Sequence, residues 1–252
     1  MKKTDQIEFY SKHLKLDYIA QNHDSMISRA SINKISYLDF LEETLKNEYE
    51  EGTKKSIQRR LQSAKLGTFK LLGEFDWLWP KKISKETISE LMLLHFIKEK
   101  ANIILLGPSG VGKTMIAKNI AYEAAKEGKT SLFIELADLI RDLEQQESSR
   151  LFNLRLNRYI KPSILVIDEV GYQSYATTKS ADFLFQIINK RHEKNSTIIT
   201  TNLAFQDWGQ AFMNATSLVP MIDRLTQRAE ILLIEGDSYR GKEARLRKKN
   251  KK

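Results

Sequence analysis

The sequence predicts an α/β fold, a five-stranded parallel sheet between helices with a small helical domain in front of it. Three observations carry this. From residue 102 onward short apolar runs alternate with helix-period stretches, as they do when strands of a parallel sheet are covered on both faces. One run, at 103–106, breaks at Gly107 into a complete G-x-x-x-x-G-K-T pattern, the loop that joins a strand to a helix around phosphate. The first 66 residues contain no strand pattern at all.

The chain is 252 residues long, 41% hydrophobic and 29% charged, enough for one sizeable core and a smaller attached domain. No run reaches the roughly 18 apolar residues that span a bilayer, and the opening MKKTDQIEFY has no signal-peptide core, so a cytoplasmic location is expected. The absence of cysteine excludes disulfides and thiolate chemistry. His13, His23, His95 and His192 lack ligand spacing and read as surface or packing residues. Lys and Arg number 41 against 32 Asp and Glu, a formal charge of +9, which favours a polyanionic partner, with nucleic acid leading.

The expected domains are a helical segment at 1–66, an ordered connector at 67–84, the α/β domain at 85–241 and a disordered basic tail at 242–252. Within the first, Ser36 and Asp39 have capping-box spacing, and Tyr37, Phe40, Leu41, Thr44, Leu45 and Tyr49 follow helical periodicity. Glutamates dominate up to Glu51; after Gly52 the sign reverses to Lys54, Lys55, Arg59, Arg60 and Lys65. That basic stretch is either a solvated face or a surface that tracks phosphates. As a nucleic-acid surface it would be largely indifferent to sequence, because Lys and Arg at helical spacing form no base-reading motif. In the connector, Phe75, Trp77 and Trp79 could stack on bases, but an alternating aromatic stripe is expected to pack against the following domain. A helix at 87–98 leads into the first strand.

The remaining elements follow in order: a helix at 114–126, a strand at 131–135, mostly helix at 137–159, a strand at 164–167, a helix at 178–192, and strands at 197–201 and 231–234. Ligands of such a sheet bind beyond the strands' carboxyl ends. There the glycines of the loop (Gly107, Pro108, Ser109, Gly110, Val111, Gly112) let backbone N–H groups approach phosphate, aided by the dipole of the helix that starts near Lys113. Lys113 would meet the β- and γ-phosphates, and Thr114 would place its hydroxyl on Mg²⁺. At the end of ILVIDEV, Asp168 would complete the Mg²⁺ shell and Glu169 would polarise the attacking water, which points to hydrolysis. Asn202, ending STIITTN, either starts a turn or contacts the γ-phosphate or the water. Arg224 and Arg228 precede the last strand; an arginine there either serves the transferring phosphoryl group of a neighbouring subunit or is merely solvated.

From Leu72 to Arg240 the segments GEFDW, LLGPSGVGKT, VIDEVGY, FLFQIINKRHE, IITTNLAFQDWGQAF, DRL and GDSYR resemble the IstB-like AAA+ ATPases, transposase helpers related to DnaC helicase loaders. The basic helical N-terminus is similar to that family's DNA-contacting domain. The resemblance implies an ATP- and Mg²⁺-dependent AAA+ module that assembles as a homo-oligomer on duplex DNA, binds ATP at subunit junctions and recruits or regulates a transposase. It also implies roles: Gly107 to Thr114 as Walker A, Asp168 and Glu169 as Walker B, Asn202 as sensor 1, Arg224 as arginine finger with Arg228 competing, and Arg240 as second sensor. Ser109 departs from the proline common at its position. Arg141, Arg150, Arg155 and Arg158 lie where initiator-type ATPases carry an extra helix facing DNA, which implies phosphate contacts. A helicase loader would share every ATPase motif. A small-molecule kinase would need a lid and an acceptor pocket, and a GTPase is disfavoured because TKSAD misplaces its Asp for the guanine signature.

Overall fold

The computed structural model describes residues 3–172, 178–212 and 215–242. The expected tail at 242–252 therefore lies outside the described residues except for Lys242. The chain divides into two compact units, Met1–Arg59 and Arg60–Lys252, the division falling inside a helix.

The first unit is helical: α1 (Lys3–His13), α2 (Asp17–Ile32) and most of α3 (Tyr37–Ala64). Ser36 caps α3 by accepting from the Asp39 N–H at 3.2 Å, while its own hydroxyl donates to the Asp39 carboxylate at 2.6 Å. Only half of a capping box forms, because Asp39 engages the hydroxyl rather than a backbone N–H. The charge reversal at Gly52 marks no break. α3 runs through it, since one interior glycine costs about 1 kcal/mol and a helix this long tolerates that. α2 lies along α3 through polar contacts: Lys55 with Asp17 at 2.6 Å, the Ile19 N–H with Glu48 at 3.0 Å, and Arg29 with Glu43. Ala20 and Met26 are the buried apolar side chains of this unit among the described residues.

The second unit continues with α4 (Lys85–Met92), α5 (His95–Glu99), β1 (Asn102–Leu106), α6 (Lys113–Lys126), β2 (Ser131–Glu135), α7 (Leu136–Glu144), α8 (Ser149–Ile160), β3 (Ile164–Val170), α9 (Thr178–Arg191), β4 (Ser196–Thr201), α10 (Trp208–Ala211), α11 (Leu218–Thr226) and β5 (Ala229–Leu233). The five strands form one all-parallel sheet in the order β2-β3-β4-β1-β5. Alternation along each strand feeds two cores. Ile103, Leu105, Val166 and Ile198 pack under α4 to α6, and Ile104, Leu165, Ile167 and Ile199 pack under α7 to α11. The stretch expected to be mostly helix at 137–159 is two helices, because the polar run at 145–148 contributes no apolar face and Ser148 caps a new start by accepting from the Leu151 N–H at 3.3 Å.

The guanidinium of Arg191 is buried among these elements. Arg191, 1% exposed, donates to the carbonyls of Tyr159, Ile160, Pro162 and Ser196 and to the Thr197 hydroxyl. These acceptors replace the water it has lost and tie the start of β4 to the end of α8.

The candidate nucleotide site

The loop after β1 is shaped by what surrounds it. The Gly107 N–H donates to the Thr201 carbonyl at 3.1 Å, and a Cβ on Gly107 would stand 2.1 Å from the Ile234 carbonyl oxygen. Gly110 and Gly112 have φ of 81° and 104°, and added Cβ atoms would meet Ser238 and the Phe75 ring at 2.3 and 2.4 Å. Glycine is therefore required both by conformation and by space. The Tyr239 N–H donates to the Gly110 carbonyl at 3.0 Å. The connector thus holds the loop from one side and the segment after β5 from the other.

The connector's aromatics pack on the α/β domain, in line with expectation. Phe75 and Trp77 lie with ring centroids 4.8 Å apart, and the Trp79 indole N–H donates to the Asp237 carbonyl at 2.8 Å. Lys242 sits over the Trp79 ring at 4.4 Å and pairs with Asp76 at 2.9 Å. Asn119 of α6 fastens the start of the connector, accepting from the Leu72 N–H at 2.8 Å and donating to the Lys70 carbonyl at 3.0 Å.

Lys113, the first residue of α6, donates to the carbonyls of Gly107 and Pro108 at 2.6 and 2.7 Å. Burial pulls its pKa below the usual lysine value, while the charges of Asp168 and Glu169 oppose that fall. The Thr114 hydroxyl lies 3.0 Å from both oxygens of Asp168, a carboxylate only 2% exposed. Thr200 of β4 donates its hydroxyl to Asp168 and accepts from the Glu169 N–H at 3.0 Å. Glu169 adopts φ 59°, a left-handed conformation that costs a glutamate about 1–2 kcal/mol. It occurs where the pairing of β3 with β4 shifts register between Ile167 and Val170. Burial raises the Glu169 pKa first, then the charges of Asp168 and Glu135.

A cavity of about 410 Å³ opens over these groups, lined by the loop, Glu169, Asn202, Tyr239, Arg240 and the connector aromatics. The residues fit a nucleoside triphosphate. The loop offers backbone N–H groups with no Cβ in the way, and Lys113 supplies a cation whose present acceptors are exchangeable carbonyls. They also fit Mg²⁺, for which Thr114 and Asp168 offer hard oxygens. The described residues contain no cluster of three His, Cys, Asp or Glu able to hold a metal.

Other candidates lie away from this cavity. Arg224, in α11, packs over the Phe185 ring at 5.2 Å and donates to the Pro220 carbonyl at 3.1 Å; Arg228 pairs with Glu193 at 3.9 Å. Of the basic stretch, Lys54 and Arg59 are exposed, whereas Lys55 pairs with Asp17 and Arg60 donates to the Ala125 carbonyl at 2.7 Å. Arg141 pairs with Asp138, Arg155 and Arg158 flank Asp142 at 3.7 and 3.8 Å, and Arg150 is exposed. Sequence reasoning missed Thr200, whose only signal was a hydroxyl two residues before Asn202. It also missed Asp142, which partly neutralises the arginines of α8.

Comparison with known proteins follows the same lines. Residues 10–247 match the family model described as IstB-like ATP binding protein. The chain is 35% identical over 248 residues to an insertion sequence IS5376 ATP-binding protein of Geobacillus stearothermophilus, covering 98% of each. It is 32% identical over 240 residues to the insertion sequence IS21 ATP-binding protein of Pseudomonas aeruginosa, covering 95% of this chain and 90% of that one. Among solved structures the fold resembles DnaI (TM-score 0.54, 23% identity, 69% of this chain and 90% of that one) and the DnaC helicase loader (TM-score 0.51, 22% identity, 70% and 99%).

Proposed function

The chain belongs to the IstB-like ATP-binding protein family, and from that premise we propose that it is an ATP-hydrolysing AAA+ helper that assembles on duplex DNA and recruits or regulates a transposase. The observation that carries the reading is the Thr200 arrangement, in which one hydroxyl fixes Asp168 beside Thr114 and orients the backbone of Glu169 at the cavity. In this reading Lys113 exchanges its carbonyl partners for the β- and γ-phosphates. Thr114 and Asp168 hold Mg²⁺, which when bound neutralises charge on the phosphates. Glu169 takes the proton of the attacking water, helped by a pKa that partial desolvation raises above the ordinary glutamate value. Asn202 and Arg240 face the γ-phosphate from the cavity wall. Arg224 faces the nucleotide of an adjoining subunit, which agrees with its distance from the cavity of its own chain.

Relatives named for insertion sequences favour transposition over helicase loading, for which fold likeness alone speaks. Phosphate release measured with and without duplex DNA tests the proposal. Stimulation by duplexes of unrelated sequence, with free phosphate as the product, is expected. Transfer of phosphate to a small acceptor, or indifference to DNA, would contradict it.

A further inference from the structure

α3 presents an apolar face to solvent. Leu38, Leu41, Leu45 and Tyr49 are 75, 55, 58 and 75% exposed, although one side of the same helix carries the polar contacts to α2. Their spacings of three, four and four residues are completed by Gly52, three residues further on. The series is symmetric about Leu45. Gly52 has no neighbour that explains it: its φ is not in the left-handed range, and a Cβ there would meet nothing within 4 Å.

We propose that this face receives a second copy of the chain, whose α3 crosses antiparallel about a two-fold axis at Leu45. Such an interface must be self-complementary. With the axis at Leu45, that residue meets its own copy, Leu41 meets Tyr49 of the second copy, and Leu38 meets Gly52, where a missing side chain admits the leucine and lets the helices approach. On one flank, Glu42 of each copy faces Lys46 of the other, so the pairing forms two opposite-charge contacts. A parallel arrangement would instead leave both glycines facing each other. The seam also accounts for the small apolar core of the first unit, where Ala20 and Met26 are the buried apolar side chains among the described residues. Lys54 and Arg59 lie beyond the seam, so pairing leaves them available.

The test uses the full chain without nucleotide or DNA, so its outcome is independent of the ATPase reading. The sequence contains no cysteine, and a single one reports its own position. Leu45→Cys is expected to oxidise to a disulfide dimer, while Leu38→Cys is not, its copy being about 21 Å away along the helix at 1.5 Å per residue. Cross-linking at both positions would indicate parallel pairing, and at neither would leave the face to DNA or another protein; each result overturns the proposal. Charge supplies a second measurement by sedimentation. Glu42→Lys and Lys46→Glu should each weaken the dimer about three- to tenfold, and a mixture of the two should form heterodimers at wild-type strength. No recovery on mixing would also overturn it.

Discussion

Glu169 is the residue we propose for the hydrolytic step, and its surroundings suit a glutamate to that role. The Thr200 hydroxyl accepts its N–H, a left-handed φ turns the residue out of the strand, and burial followed by the Asp168 charge raises its pKa. Glu169→Gln keeps the shape and loses the base, so kcat should fall about 10²-fold or more with ATP affinity held. Comparable turnover in this variant would assign the water to another residue. Because the pKa is raised, the base is lost on acidification earlier than an ordinary glutamate would be. The acid limb of the kcat profile should therefore lie above the usual glutamate range. Thr200→Val removes the bridging hydroxyl alone and should lower kcat about tenfold, the worth of one hydrogen bond to a charged group; an unchanged rate would reduce Thr200 to a packing residue. The sequence displayed the loop from Gly107 to Thr114 and the Asp168–Glu169 pair plainly, because their chemistry is local. Thr200 stayed hidden because a threonine in a strand reads as a β-former, and its hydroxyl gains meaning only when β4 lies between β3 and β1.

At the level of elements, the strand positions were legible to within a few residues, since buried parallel strands write their burial into the sequence. The helices were less so. Periodicity revealed an apolar face on α3 but not whether anything covers it, and the structure leaves Leu38, Leu41, Leu45 and Tyr49 outward. Charge was equally ambiguous. Lys54, Lys55, Arg59 and Arg60 form one basic block in sequence, yet Lys55 serves Asp17 and Arg60 serves the last turn of α6 through the Ala125 carbonyl. The block should therefore divide in experiment. Neutralising Lys54 and Arg59 should weaken binding to all duplexes alike and flatten the salt dependence by up to about 0.9 per lost phosphate contact. Neutralising Lys55 should chiefly lower the melting temperature. An unaltered salt slope in the Lys54, Arg59 variant would move the DNA surface elsewhere, with Arg150 on α8 as the next exposed candidate.

The whole molecule was legible as a phosphate-loop domain with a helical attachment, but not as a site walled on one side by its own connector. The connector closes the loop because Phe75 fills the space a side chain at Gly112 would need and Trp79 is fastened to Asp237. The second of these contacts joins residues 158 apart in the sequence, beyond the reach of any local pattern. The completed cavity supplies a loop, a candidate metal site, a candidate base and two polar wall residues, with Arg224 lying elsewhere on α11. A cation meeting the charge that spreads over the γ-phosphoryl oxygens is typically worth 10³ to 10⁵ in rate when an arginine supplies it. We propose that the neighbouring subunit supplies that cation. Arg224→Ala should bind ATP and hydrolyse it poorly, and Lys113→Ala should fail to bind it, having lost the charge that compensates the phosphates. Phosphate release by a mixture of these two variants on duplex DNA tests the assignment most directly. Junctions that pair an intact loop with an intact Arg224 should regain turnover well above the sum of the two residual rates. If mixed oligomers form and the rate is only that sum, the site is not shared between subunits in this way.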